Sequence, residues 1–293
     1  MGLRTSIRDV IKRFRKTPCS TSPFGSSFDV LLEELKYELH DEITSLEKPF
    51  VKGVYDTIDD IIATRASLCR FGDGELRLIE GHSLEFQQAS PLLSERLVEV
   101  LSSCDDRVFI AVPRLLFGSK AGVIELSKSF WRLNGQRYRK ILAKYIDYGR
   151  TYYSAEVTIA YCMYENLDRR VYFDSIRRIW NNRDIALVCG SGVFNNLEHN
   201  IFDNARTVQY VYGPSLNAFS NYQQVLHSTC SLSRDVLVCA ILGPAAKVLC
   251  YDLTLRGYQA LDLGHIAKSY DWFLRDLSVH GLADATRFFC PDR

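Results

Sequence analysis

A chain of 293 residues is long enough for one large α/β domain or two small ones, and it can bury a core without disulfides. Lys plus Arg total 36 and Asp plus Glu total 35, a balance that argues against a strongly basic nucleic-acid binder. The nine cysteines are odd in number, scattered and never spaced C-x-x-C, so they read as free thiols of a reducing cytoplasm.

No apolar run approaches the roughly 20 residues of a transmembrane helix, and the start lacks the apolar core of a signal peptide. These features predict a cytoplasmic chain. The opening stretch "MGLRTSIRDVIKRFRK" is basic and amphipathic, with Ile7, Val10, Ile11 and Phe14 at helical spacing. It suits either a helix on the inner, anionic face of a membrane or a solvated arm packed on the domain. Gly2 and Ser6 also fit the N-myristoylation pattern. Residues 17–28 form a Ser/Pro/Gly linker, and a helix is predicted from Asp29 to Lys48. Residues 1–50 thus read as arm, linker and helix, ahead of a domain over 51–293.

Within that domain a helix is predicted over Thr57–Arg65, then a strand "SLCRF", then "RFGDGELRLIEG" from Arg70 to Gly81. A helix near Ser90–Ser103, a strand at 107–113 and a long helical region at 122–147 follow. From Asp184 the rhythm is regular. Strands "DIALVCG", "TVQYVYG", "DVLVCAILG" and "YQALDLG" alternate with helical stretches near 193–204, 217–229 and 245–257. That alternation predicts a Rossmann-like α/β fold, a mostly parallel sheet covered by helices. Such sheets bind ligands at the carboxyl ends of their strands.

The strand ends therefore supply the candidate site residues. Gly190, Ser191 and Gly192 form a glycine-rich turn suited to phosphate if a helix follows. Asn217 and Tyr222 are placed to bind a base or sugar, and Ser215 or Asn217 to cap a helix. Gly243 and Pro244 let a ligand approach a helix start, whereas Asp252, inside that helix, reads as a structural acceptor. Asp262, His265, Lys268 and Asp271 crowd the last strand end; three are proton-transfer candidates, and Lys268 can neutralise phosphate. In an extended segment Asp73 and Glu75 share one face. Two hard oxygen ligands between Gly72 and Gly74 suit Mn²⁺ or Mg²⁺ shared with a diphosphate. Arg70 adds a charge-assisted bond to phosphate.

"RFGDGELRLIEG", "GPSLNAFSNYQQVL", "LGPAAKVLCYDLTLRGYQALDLGH" and "SYDWF", in that order, resemble the GT-D-type glycosyltransferases, first catalogued as a domain of unknown function. The resemblance spans about Asp56 to Leu277. It implies a nucleotide-sugar donor, UDP-glucose or a related UDP-sugar, and a divalent metal on the residues matching the family's Asp-x-Glu, Asp73 and Glu75. The expected activity is transfer of a hexose to a hydroxyl of a glycan, glycoprotein or lipid-linked acceptor, with His265, Asp271 or Asp262 as base. The alternatives are a nucleotide-sugar diphosphohydrolase or nucleotidyltransferase on the same fold, and an inactive relative that binds nucleotide sugar.

Overall fold

A computed structural model describes residues 48–279 and 281–289. The basic arm, the linker and the helix predicted from Asp29 lie outside these residues.

Eight strands build one sheet: β1 (Phe50–Val51), β2 (Ser67–Arg70), β3 (Val108–Val112), β4 (Thr151–Ser154), β5 (Asp184–Gly190), β6 (Thr207–Gly213), β7 (Leu237–Ile241) and β8 (Ala260–Asp262). Their order is β1-β4-β3-β2-β8-β7-β5-β6. Neighbouring strands pair in parallel throughout, for example Leu68 opposite Leu261 and Gly190 opposite Gly213. The strands β2, β3 and β8 are buried along their whole length. Continuous apolar strands of this kind require cover on both faces of the sheet.

Two groups of helices provide that cover. The first comprises α3 (Pro91–Leu101), α7 (Tyr222–Cys230) and α8 (Ala245–Leu255), with α8 lying on β2, β8 and β7. The second comprises α1 (Val54–Thr64), α6 (Arg169–Arg177) and α9 (Ile266–Leu274). Here Phe173 packs on Tyr270 and Phe273, with ring centroids 5.2 and 4.9 Å apart. The remaining helices are α2 (Asp73–Ile79), α4 (Glu125–Leu142), α5 (Ala160–Met163) and α10 (Leu282–Phe289).

Local chemistry sets the boundaries. Ser90 caps α3 by accepting from the Leu93 N–H at 3.2 Å, with Pro91 at the first helical position. Asp168 caps α6 through the Val171 N–H at 3.0 Å. Gly257, with φ +88°, follows α8 where a left-handed residue is needed. The seven cysteines among the described residues are all free. No described helix is long and apolar enough to cross a membrane.

One predicted helix is absent. Residues 191–204, which follow β5, form a succession of turns rather than the helix expected over 193–204. Asn195, Asn196, Asn200 and Asn204 in this stretch favour turns over helix interiors.

The sheet has a switch point between β5 and β7, because β5 leads outward to β6 whereas β7 leads back to β8. Open parallel sheets form a ligand crevice at such a place. Gly190 closes one wall of it: a Cβ there would stand 2.8 Å from Ser215 Cα and 2.9 Å from Ser215 Oγ. Because that contact is with backbone, Gly190→Ala should destabilise the fold by about 1–3 kcal/mol. Urea unfolding of the purified variant checks this; unchanged stability would mean that the β6–α7 loop gives way freely.

Candidate active site

The carboxyl ends of β2 and β8 meet in a buried network of four charged side chains. Arg70, the last residue of β2, donates from Nε to the Asp262 carbonyl at 2.8 Å and from Nη2 to Asp262 Oδ1 at 3.1 Å. Its Nη1 donates to the Ala155 carbonyl at 3.2 Å. Asp262, the last residue of β8, also receives Lys247 Nζ at 3.2 Å on Oδ2. Lys247, in the first turn of α8, reaches Glu75 Oε1 at 2.8 Å and the Gly243 carbonyl at 3.2 Å. Glu75 Oε2 accepts the Gly72 N–H at 2.8 Å and so caps α2. Two cations and two carboxylates thus balance, and Asp262 and Lys247 are only 1% and 4% exposed.

The electrostatics follow from this pairing. Burial alone would raise the Asp262 carboxyl, but Arg70 and Lys247 together bring it below its ordinary value of 3.8. Burial alone would lower Lys247, but Asp262 and Glu75 lift it above its ordinary 10.5. Gly264, at φ +47°, completes the arrangement, since a Cβ there would lie 2.0 Å from Arg70 Nη2.

This geometry corrects several expectations. Asp73 and Glu75 do not lie in an extended segment. They are the first and third residues of α2, about 200° apart around the helix. The cause is Gly72, which caps the helix in an extended conformation so that winding begins at Asp73. Glu75 turns inward to Lys247, whereas Asp73 stays partly exposed. Burial first, and then the Glu75 charge, raise the Asp73 carboxyl above its ordinary value; the N–H groups at the start of α2 act in the opposite direction. Gly74 packs beside Leu84 rather than opening an approach, with a Cβ there 3.2 Å from that side chain. The Arg70 guanidinium is committed to Asp262 and Ala155, not offered to phosphate.

The proton-transfer candidates also separate. Asp262 is engaged as described. Asp271 is 1% exposed; its Oδ1 accepts the N–H groups of Glu198 and His199 at 2.8 and 3.1 Å, and its Oδ2 faces Arg275 at 3.3 Å. It therefore pins the turns after β5. Lys268 donates to the Arg287 carbonyl at 2.9 Å. His265 is half-buried against the rings of Phe288 and Phe289 on α10, at 5.8 and 5.4 Å. Burial, with Arg70, Lys268 and Lys247 nearby, pushes its imidazole down to about 4, so it is neutral at neutral pH.

Of the nucleotide-cleft candidates, Gly190, Ser191, Gly192, Gly243 and Pro244 lie at the carboxyl ends of β5 and β7, the strands on either side of the switch point. With no helix after Gly192, no helix end is offered to phosphate there. Asn217 stands at the start of the 3₁₀ turn Ala218–Asn221 without a side-chain cap bond: at φ +51° its N–H donates to the Phe86 carbonyl at 2.8 Å and its Oδ1 accepts the Gln88 N–H at 2.6 Å. Phe86 in turn lies 3.3 Å from where a Gly243 Cβ would be. The pair hold the 83–88 loop over the crevice. Ser215 does not cap a helix but donates to the Ser191 carbonyl at 2.8 Å. Tyr222 is buried, its hydroxyl donating to Asp252, which also binds Arg96. Asp252 is the structural acceptor expected of it.

Two residues of this region escaped the sequence reading. Lys247 carries a detectable signal, since a cation in the first turn of a helix opposes the helix dipole and so needs carboxylate partners. Glu156, 3% exposed in the turn after β4, accepts from Ser154 Oγ at 2.8 Å and from the Leu115 N–H at 3.4 Å. Burial raises its carboxyl. Its only trace in the sequence is an acid among apolar neighbours.

A profile of the family described as glycosyltransferase GT-D fold matches residues 68–282. The chain belongs to the GT-D glycosyltransferase family. A probable glycosyl transferase of Streptococcus gordonii is 32% identical over 227 residues, 76% of this chain and 33% of that protein. The glycosyltransferase GlyD of Streptococcus pneumoniae serotype 4 is 30% identical over 235 residues, 78% of this chain and 28% of that protein. The chain thus spans about a third or less of these curated relatives. Among solved structures, one described as a new glycosyltransferase from Streptococcus sanguinis superposes with a TM-score of 0.76 and 30% identity, covering 84% of this chain and 93% of the other. Another, described as a distinct glycosyltransferase fold, gives 0.77 at 28% identity, covering 83% and 88%. The GT-D assignment therefore covers the strand-end network in full.

The network's pH window follows from the two shifts. Asp262's contribution holds above the ordinary carboxylate value and fades as pH falls through its lowered one; Lys247's holds below 10.5 and fades above it. Lys247→Met should cost about 3–5 kcal/mol at pH 7, because it leaves buried carboxylate charge without its partner. The deficit should shrink near pH ~4, where a carboxylate that has lost its cation can take a proton. Urea unfolding at both pH values tests this, and an equal deficit at both would point to lost packing instead.

Proposed function

We propose that this GT-D protein is a glycosyltransferase that moves a hexose from a UDP-sugar to a hydroxyl of a glycan, glycoprotein or lipid-linked acceptor. The observation that carries the reading is the placement of Asp73 and His265 at the carboxyl ends of β2 and β8, at the margins of the buried Arg70–Asp262–Lys247–Glu75 network. The network fixes the starts of α2 and α8, so the two groups it leaves outside can face a bound donor.

The acceptor oxygen attacks the anomeric carbon as the bond from that carbon to the diphosphate oxygen breaks. The nucleoside diphosphate leaves with the bonding pair. The acceptor proton passes to the neutral imidazole of His265, which has its lone pair available at neutral pH. This role presumes inversion at the anomeric carbon. Asp262 and Asp271 are excluded as bases because their oxygens are already occupied by cations and backbone N–H groups.

Among the described residues no group of three or more metal-ligating side chains gathers. Asp73 nevertheless fits Mn²⁺ or Mg²⁺ in the manner usual for Mg²⁺, in which one or two carboxylates act with substrate phosphates and water. Its raised carboxyl beside Glu75 is a site where a cation relieves like-charge repulsion. When bound, the ion supplies charge neutralisation at the leaving diphosphate. Glu75 contributes by position, holding α2 through Gly72 and Lys247.

Asp73→Ala should lower transfer by more than about a hundredfold while leaving the melting temperature close to wild type. Assay of UDP release with and without Mn²⁺ checks it. Full activity and unchanged metal dependence in the variant would refute the role, and release of sugar phosphate would indicate a diphosphohydrolase. The acid limb gives a second test. Since the neutral imidazole is the working form, kcat/KM should fall as pH drops through about 4. The limb of kcat should lie higher, because a bound diphosphate favours the charged imidazole. A His265→Asn profile with the same acid limb would remove His265 from the chemistry.

A further inference from the structure

A second concavity lies apart from the crevice between β5 and β7. It has a volume of about 380 Å³ and lies between the start of α4, helix α5 with the residues after it, and the segment that follows α9. That size is within the roughly 300–1,000 Å³ of small-molecule sites. Tyr161, Tyr164, Glu165, Arg169, Glu125 and Ser278 are among the residues that line it.

Three features give this cleft a chemical character. The first is Tyr161. Its side chain is 3% exposed, and its buried hydroxyl lies beside Ser278 without a hydrogen bond of good geometry. Buried hydroxyls almost always find a partner in the protein, in water or in a ligand. The second is the combination of aromatic rings with a fork of polar groups. Arg169 lies 5.1 Å over the Tyr161 ring, and Glu165 is exposed beside it. The third is the balance of charge: Glu125 is held by Arg132 and Lys128, which leaves Glu165 and Arg169 as one carboxylate and one guanidinium in the lining, with no surplus of either sign. A tyrosine-lined wall, a buried hydroxyl without a hydrogen bond of good geometry, and a lining of balanced charge together match a neutral polyhydroxyl ligand.

The cleft also communicates with the strand ends. Tyr164 is raised to about 12, by burial first and then by the charge of Glu156, while Arg114 acts in the opposite direction. Glu156 and Arg114 follow β4 and β3 directly. Ala155, next to Glu156, accepts Arg70. The cleft thus lies near the turns that follow β3 and β4.

We propose that this cleft is a carbohydrate subsite that takes a neutral sugar, with the Tyr161 hydroxyl donating to a ring hydroxyl and Glu165 and Arg169 fixing its neighbours. Its assignment to the acceptor, rather than to the donor, rests on the transferase reading above.

The test uses the full chain. Binding of glucose, galactose, N-acetylglucosamine, cellobiose and lactose is followed by saturation-transfer NMR and titration, alongside slow hydrolysis of UDP-glucose. Tyr161→Phe keeps the ring and its packing on Phe173 and Phe273. It should leave the melting temperature unchanged or higher, because it deletes a buried hydroxyl that makes no well-formed hydrogen bond within the described residues. It should weaken saccharide binding about two- to tenfold, the worth of one neutral hydrogen bond, with UDP-glucose hydrolysis unaltered. Glu165→Gln should weaken binding without a change in stability. If wild type releases UDP from UDP-glucose but binds no saccharide, or if Tyr161→Phe binds them equally well, the cleft is not a sugar site and the transferase reading stands. If saccharides bind through Tyr161 while no nucleotide sugar binds or turns over, the sugar site stands and the transferase reading fails.

Discussion

The pairing of Lys247 with Asp262 and Glu75 is the constraint on which the rest of this site depends. It ties three elements that are far apart in sequence: the end of β8, the first turn of α8 and the first turn of α2. Four charges buried together are stabilising only when their geometry is good and their remaining lone pairs and protons are satisfied. Here they are satisfied, by Gly72, Gly243 and Ala155 as well as by each other. A hydrophobic cluster could fill the same volume, but it would not set the helix starts at fixed hydrogen-bonding distances from the strand ends. The network is thus better understood as a positioning device than as a source of stability.

The positions of the glycines follow from that device. Gly264 has no side chain because Arg70 occupies the space one would need. Gly72 takes the extended cap conformation that lets Glu75 reach its N–H, and Gly243 adopts φ +53° beside the Phe86 ring. On the other side of the crevice, Gly190 allows Ser215 to close in, and Ser215 returns a hydrogen bond to Ser191. What looks in the sequence like a set of flexible phosphate loops is a set of tight contacts that keep backbone close to its neighbours. A ligand there meets a surface already formed, which lowers the ordering cost of binding.

Much of the fold was legible because the later strands are continuous apolar runs between glycine-marked turns, the pattern of a doubly covered parallel sheet. The pieces that escaped reading are short or irregular: β1 has two residues and α5 four, too few to show a period. The stretch after β5 misled for another reason. Val193, Phe194 and Leu197 have helical spacing, but the asparagines between them favour turns, and Asp271 then ties the backbone at Glu198 and His199. At the site, residue type was legible and role was not. Asp73, Glu75, Arg70, Asp262 and Lys268 were recognisable as charged groups at strand ends. Whether each faces a partner or a ligand depends on groups remote in sequence, such as Lys247, Ala155 and Arg287. Arg70 and Asp262, which bind each other, stand 192 residues apart along the chain.

A division of labour among the acids and bases follows from this. Asp262, Asp271 and Glu75 each spend both oxygens on cations or backbone N–H groups, so they are committed to holding the structure. Asp73 and His265 are shifted the other way, each toward its uncharged form, by burial and by neighbours of like charge. A group held away from its preferred ionisation responds strongly to a ligand that brings the missing charge. A cation relieves Asp73, and an anionic diphosphate relieves His265. A metal-bound diphosphate supplies both at once, so the electrostatics of the site and the proposed donor are complementary. With the diphosphate seated the imidazole moves back toward its ordinary value of 6.5, still largely neutral at pH 7 but better able to hold the acceptor proton it is proposed to take.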